Sequence, residues 1–237
     1  MKKCSTFIWG ALIVLLLTSP HSEAGVVIEQ QVRDREERPS RVVLYYSETG
    51  LRTDHLEGGQ TTIMDFKGDR MVMIDHRAKS YVEAKLSQWE KEVSQQLKKA
   101  SPGIMPKDRK ISTKRIGEKA VINGFQTEKI QVFTERDLIE EHWVTRDVDL
   151  KEVEKVMDQM AQAFSKEFRS ELKESLEIQR QLRPFGFSIL VRDYTMAHGL
   201  KPIDVLEIKK IERRELKEDA FQPPSGYERI IPKPSKR

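Results

Sequence analysis

Four histidines follow the N-terminal segment: His55, His76, His142 and His198. Imidazole titrates near neutrality and binds metals, so chemistry is sought there first. No two of them stand at H-E-x-x-H spacing. Glu140-Glu141-His142 is the densest local cluster. Alternation along a strand puts Glu140 and His142 on one face. The reading is an exposed polar strand face rather than a metal site. Asp75-His76 with Ser80 has the residue types of a hydrolase triad. It lacks the G-x-S-x-G elbow that exposes a nucleophilic serine, and Asp75 suits a turn. An exported hydrolase would need a polar cleft joining His76 or His142 to a carboxylate and a nucleophile. Gly117 and Gly124 fit no phosphate-loop pattern. The sequence names no reaction, cofactor or metal, and the expectation is a non-enzymatic protein.

Residues 1–24 have the grammar of an export signal. Lys2 and Lys3 precede an apolar run from Phe7 to Leu17, and Ser22-Glu23-Ala24 is a small-x-small cleavage site before Gly25. The run is too short for a spanning helix, which needs about 20 apolar residues. Cleavage after Ala24, and a bacterial periplasmic or secreted location without a stable membrane anchor, are expected. The single cysteine, Cys4, lies inside this segment, which leaves none for disulfides. Residues 25–237 carry 40 basic against 37 acidic groups. That near balance, with basic clusters lacking interleaved aromatics, excludes a nucleic-acid surface.

The pattern from Gly25 to Glu83 is that of an antiparallel meander. Val26-Val27-Ile28 and Val42 to Tyr46 are β-branched and aromatic, and turn signals recur every eight to twelve residues. No internal repeat is evident. Leu86, Trp89, Val93 and Leu97 are helically spaced, predicting a helix near 86–100 with a Ser87/Glu90 capping box. Strands return over 111–146, where Asn123-Gly124 marks a hairpin. Leu150, Val153, Met157, Met160, Phe164, Phe168, Leu172 and Leu176 form one apolar stripe, predicting a helix over 150–182 with Asp149 and Glu152 at its start. Unbroken, it would be about 50 Å long, so a bend near Ser165 to Ser170 is plausible. Strands over Phe187 to Tyr194 and Ile203 to Ile211 follow, and 233–237 is a frayed tail. The predicted fold is α+β: one strongly curved antiparallel sheet with helices on its concave face, in a single domain over 25–232.

What remains for function is apolar surface. Met64, Met71, Met73, Trp143, Met157, Met160 and Phe164 are the candidate ligand-binding residues, since methionine adapts to varied apolar partners. Ordinary core packing is the competing reading for each.

Several short motifs carry a resemblance. They are Gly25-Val26-Val27-Ile28-Glu29, Tyr45-Tyr46, Leu51-Arg52, Met71-Val72-Met73-Ile74-Asp75-His76, Lys79-Ser80-Tyr81, Gly124-Phe125, Glu141-His142-Trp143-Val144-Thr145 and Gly226-Tyr227. Together they resemble an uncharacterised family of bacterial exported proteins related to the periplasmic lipoprotein carriers (LolA/LolB-like). The resemblance implies a half-open curved sheet with helices across its hollow, and a lipid or lipoprotein acyl chain as ligand. A cell-envelope protein that docks on the long helix is the alternative partner.

Overall fold

The structure is a computed structural model that describes residues 22–34, 36–92, 109–164, 172–195 and 201–231. One open sheet of 12 strands dominates it, ordered β12-β6-β5-β4-β3-β2-β1-β11-β10-β9-β8-β7. The strands are β1 (Ser22–Arg33), β2 (Pro39–Tyr46), β3 (Gly50–His55), β4 (Gln60–Asp65), β5 (Arg70–Asp75), β6 (Ser80–Lys85), β7 (Ile111–Ile122), β8 (Phe125–Thr134), β9 (Asp137–Thr145), β10 (Phe187–Asp193), β11 (Ile203–Lys217) and β12 (Glu228–Arg229). Every pairing is antiparallel except β12 with β6. The sheet does not close into a barrel. Three helices complete the mixed, mainly β architecture: α1 over 86–92, α2 (Lys151–Ala163) and α3 (Lys173–Leu182). None is long and apolar enough to cross a membrane.

The meander is more regular than the turn signals imply. From β3 to β6, six-residue strands alternate with four-residue turns. Each turn ends on a residue with positive φ: Gly59, Asp69 and Lys79, ten positions apart. The repeat is one of backbone geometry, so it escapes a search for repeated residues. Asp75 accepts from the backbone N–H of Arg77 and Ala78, as a turn-forming aspartate does. Asn123 and Gly124 both have positive φ and join β7 to β8, as a type I′ hairpin requires. β1 begins at Ser22, so three residues of the expected export signal pair with β11.

Two helix starts differ from expectation. Ser87 gives both its N–H and its hydroxyl to Asp69, in the turn before β5, rather than forming a box with Glu90. At α2 the N-cap is Leu150, which has no side-chain cap. Asp149 lies one residue earlier and accepts from the N–H of Lys151. Arg213 of β11 binds Glu152 and the carbonyl of Asp149, tying this end of α2 to the sheet.

The helix predicted over 150–182 is interrupted: α2 ends at Ala163, just before the bend expected near Ser165 to Ser170. Phe164 is extended and buries its ring with Met71 and Leu86. Packing that ring under α1 takes the chain out of helical geometry. The parts of the predicted stripes at Val93, Leu97 and Phe168 lie outside the described residues, as do His198 and the tail at 233–237.

Strand alternation separates two faces. The helices cover one of them. Leu150, Val153 and Val156 pack on Val26, Ile28, Tyr46, Leu51 and Ile208. Ile178 and Leu182 pack on Ile130, Val132 and Val144. The opposite face carries a second covering that the sequence did not announce. After β11 the chain makes a 3-10 turn (Glu218–Phe221), crosses the meander and pairs as β12 beside β6. Phe221 and Tyr227 lie over Ile63, Val72 and Ile74. Arg52 donates to the carbonyl of Ala220 at 2.6 Å, and Tyr227 is hydrogen-bonded to His76 at 3.0 Å. Arg52 and Arg214 flank the Tyr45 ring on this face, at 5.2 and 5.4 Å.

The turn between β3 and β4 is held to β2 by Glu57, which accepts from the N–H of Arg41 at 2.7 Å and from its guanidinium at 2.9 Å. Those bonds lower its carboxyl from the ordinary 4.5 to about 2. A lowered folded value means the clasp contributes fully above 4.5 and fades as the pH falls towards 2. A side-chain carboxyl NMR titration should place Glu57 near 2; a midpoint at 4.5 would show that the clasp does not form in solution.

Candidate functional site

Between α2 and α3, over the helix-bearing face, lies a cavity of about 370 Å³. Its volume is within the range of small-molecule pockets. Val153 and Met157 form one wall, and Ile178 and Leu182 the other. Leu44, Tyr46, Val191, Leu206 and Ile208 make the floor, from the three strands β2, β10 and β11. The walls arise because each helix turns an apolar stripe to the sheet, while the stripes rest on different strands and leave a trough between them. Arg183, at the end of α3, donates to Asp158 of α2 at 2.8 Å and ties the two walls at the rim.

Six polar side chains also reach the lining: Gln30, His142, Glu154, Gln179, Arg183 and Ser188. His142 and Ser188 stand on the floor, with Gln30 nearby. His142 is buried and engaged at both ring nitrogens: Nε2 with Glu140 at 2.7 Å and Nδ1 with Ser188 Oγ at 2.9 Å. The shared face read for Glu140 and His142 is thus present. A carboxylate only accepts, so Nε2 carries hydrogen; in the neutral ring Nδ1 then accepts and the Ser188 hydroxyl donates to it. Carboxylate, imidazole and hydroxyl in a row resemble a hydrolytic triad. Position argues against that chemistry. Ser188 sits within β10 opposite Val144 of β9, and the pairing of β10 with β11 begins at Leu190. Ladder N–H groups point along the sheet plane, not up into the cavity where an oxyanion would form. The string is better suited to holding a polar point in an apolar floor.

His76 belongs to a separate network on the strap-covered face. Thr61 donates to Asp54 at 2.6 Å and contacts His76 Nε2 at 2.9 Å, while Nδ1 meets Tyr227. Ser80 closes the hairpin opposite Asp75. This network anchors the strap. Among the described residues, no group of three or more His, Cys, Asp or Glu is placed to hold a metal.

The seven apolar candidates divide four ways. Met157 lines the cavity. Met64, Met71, Met160 and Phe164 pack with Leu86 and Trp89 in a neighbouring cluster beneath α1. Met73 is 38% exposed and borders a separate hollow of about 330 Å³ beside Val82 and Ile230. Trp143 lies on the opposite face from His142. Its ring is covered by Lys129 at 4.2 Å and Arg192 at 5.6 Å. The sequence reading missed the floor residues Tyr46, Leu206, Ile208 and Ser188. Their signal was alternation in β2, β10 and β11, which assigns faces but not what lies above them. As for a partner docked on the long helix, α2 has Leu150, Val153 and Val156 turned to the sheet and buried.

No curated protein matches the sequence. A solved structure described as PNGF-II in a C2 space group is 10% identical, with a TM-score of 0.34. The match covers 87% of this chain and 30% of that one, and a likeness so low carries no argument. The sequence itself matches a family over residues 37–227, most of its length, and the chain belongs to that family, described as a domain of unknown function (DUF4412).

Proposed function

We propose that this is a non-enzymatic, exported protein that binds an apolar ligand, a lipid or an acyl chain, in the trough between α2 and α3. The observation carrying this reading is the cavity of about 370 Å³, to which both helices and the sheet contribute apolar side chains. Burying an alkyl chain there is favourable by roughly 0.8 kcal/mol per methylene. The proposal includes the finer architecture, a sheet curved around the ligand in the manner of the lipoprotein carriers, with the helices as its lid. Export, periplasmic or secreted location and removal of residues 1–24 are also part of it. Cleavage after Ala24 would leave β1 paired with β11 from Gly25 onward.

Native mass spectrometry of the protein purified from its own periplasm tests the reading. Near-stoichiometric lipid and an N-terminus at Gly25 are expected. A bare chain that also takes up no apolar dye would overturn it. Met157→Trp places a larger ring against the trough and should cut dye affinity at least roughly tenfold. Leu56→Trp, on an exposed loop, should leave it unchanged.

A further inference from the structure

One polar side chain on the cavity floor has an unfilled bonding capacity. Tyr46 is 6% exposed and lines the floor. Its hydroxyl makes no hydrogen bond among the described residues. The neighbouring polar groups differ. His142 is engaged at both nitrogens, the Ser188 proton is directed at His142, and Arg183 is paired with Asp158. Gln30 is only half-buried. Nothing in the local fold explains a phenol here over phenylalanine, whose ring would pack as well against Val26 and Leu51.

We propose that Tyr46 is a ligand-binding residue whose hydroxyl donates to the neutral carbonyl oxygen of an ester- or amide-linked acyl chain. The inference rests on the reading of the trough as an apolar-ligand site, and it selects among such ligands. A plain alkane filling the cavity would strip water from the phenol and leave it unpaired, at the cost of a buried unsatisfied donor. An ionised carboxylate would have to shed its own water beside the lining carboxylate Glu154, where Arg183 already faces Asp158 and Glu154. A neutral carbonyl supplies an acceptor without that penalty and replaces water at the hydroxyl. Burial raises the ionisation of the phenol well above its ordinary value, so it stays a donor.

The test is displacement of the neutral dye N-phenylnaphthylamine by methyl tetradecanoate, tetradecane and sodium tetradecanoate, for the wild-type protein and Tyr46→Phe. The wild type should hold the ester roughly tenfold tighter than the alkane. Tyr46→Phe should lose that preference, its affinities for ester and alkane becoming equal within about twofold. Independently, wild-type tyrosine absorption should shift with the ester and not with the alkane. A preference retained in Tyr46→Phe, no preference in the wild type, or tighter binding of the carboxylate overturns the inference and leaves the trough reading standing. Dye taken up by neither protein overturns the trough reading, and this inference with it.

Discussion

Gly186→Ala should lower the melting temperature by roughly 6–12 °C, the shift that about 3 kcal/mol produces in a chain of this size. Gly186 sits just before β10, with φ at +130°, a region nearly closed to side chains. A Cβ there would stand 2.1 Å from the carbonyl oxygen of Thr145 and 2.8 Å from its carbon. Both belong to the backbone of β9, so no rotamer change relieves the contact. The strand would have to pull away from β9 at Phe187, next to Ser188 and the cavity floor. Gly124→Ala is the control. Its φ is +87°, but nothing lies within 4 Å of the added carbon. That change should cost only about 1 kcal/mol, from backbone preference alone. Equal shifts for the two variants in thermal unfolding would refute the steric argument.

Truncation after Lys217 should have an effect of similar or greater size, seen in both stability and solubility. The strap covers Ile63, Val72 and Ile74, each at most 3% exposed. Partial exposure of three such side chains is worth on the order of 4 kcal/mol. The truncation also removes the Arg52 contact with Ala220, the His76–Tyr227 bond and the β12 ladder. The urea midpoint should fall, and the truncated chain should elute at concentration-dependent mass. A monomer with the parental midpoint would mean that the strap contributes nothing to the fold. Phe221→Ala with Tyr227→Ala tests the same covering without shortening the chain, and should cause part of the loss.

The strands were legible because their signals are local. Val26 to Ile28, Val42 to Tyr46 and the turns at Gly58-Gly59, Gly68-Asp69 and Asn123-Gly124 declare themselves within a few residues. Features decided by distant contacts were not legible. The end of α2 depends on where the Phe164 ring finds Met71 and Leu86, and residues 150–164 alone read as an uninterrupted stripe. The Ser87 cap depends on Asp69, which lies eighteen positions earlier. Trp143 was grouped with the methionines for its size, yet strand parity sends it away from His142 and Val144. The strap was visible only as scattered aromatics, Phe221 and Tyr227, with no period to mark their target. Of the cavity lining, Met157 alone was among the candidates. Its floor residues needed the order of strands across the sheet, which no local pattern encodes.

The strap also makes the molecule one-ended. Beyond β6 the sheet finishes in a strand of two residues, too short to template another chain. At the other end β7 offers twelve residues, interrupted by an irregularity between Arg115 and Lys119. A polymer of sheets needs two adhesive margins on every copy. Among the described residues this chain has one, so any edge-to-edge pairing at β7 joins two copies about a two-fold axis and terminates there.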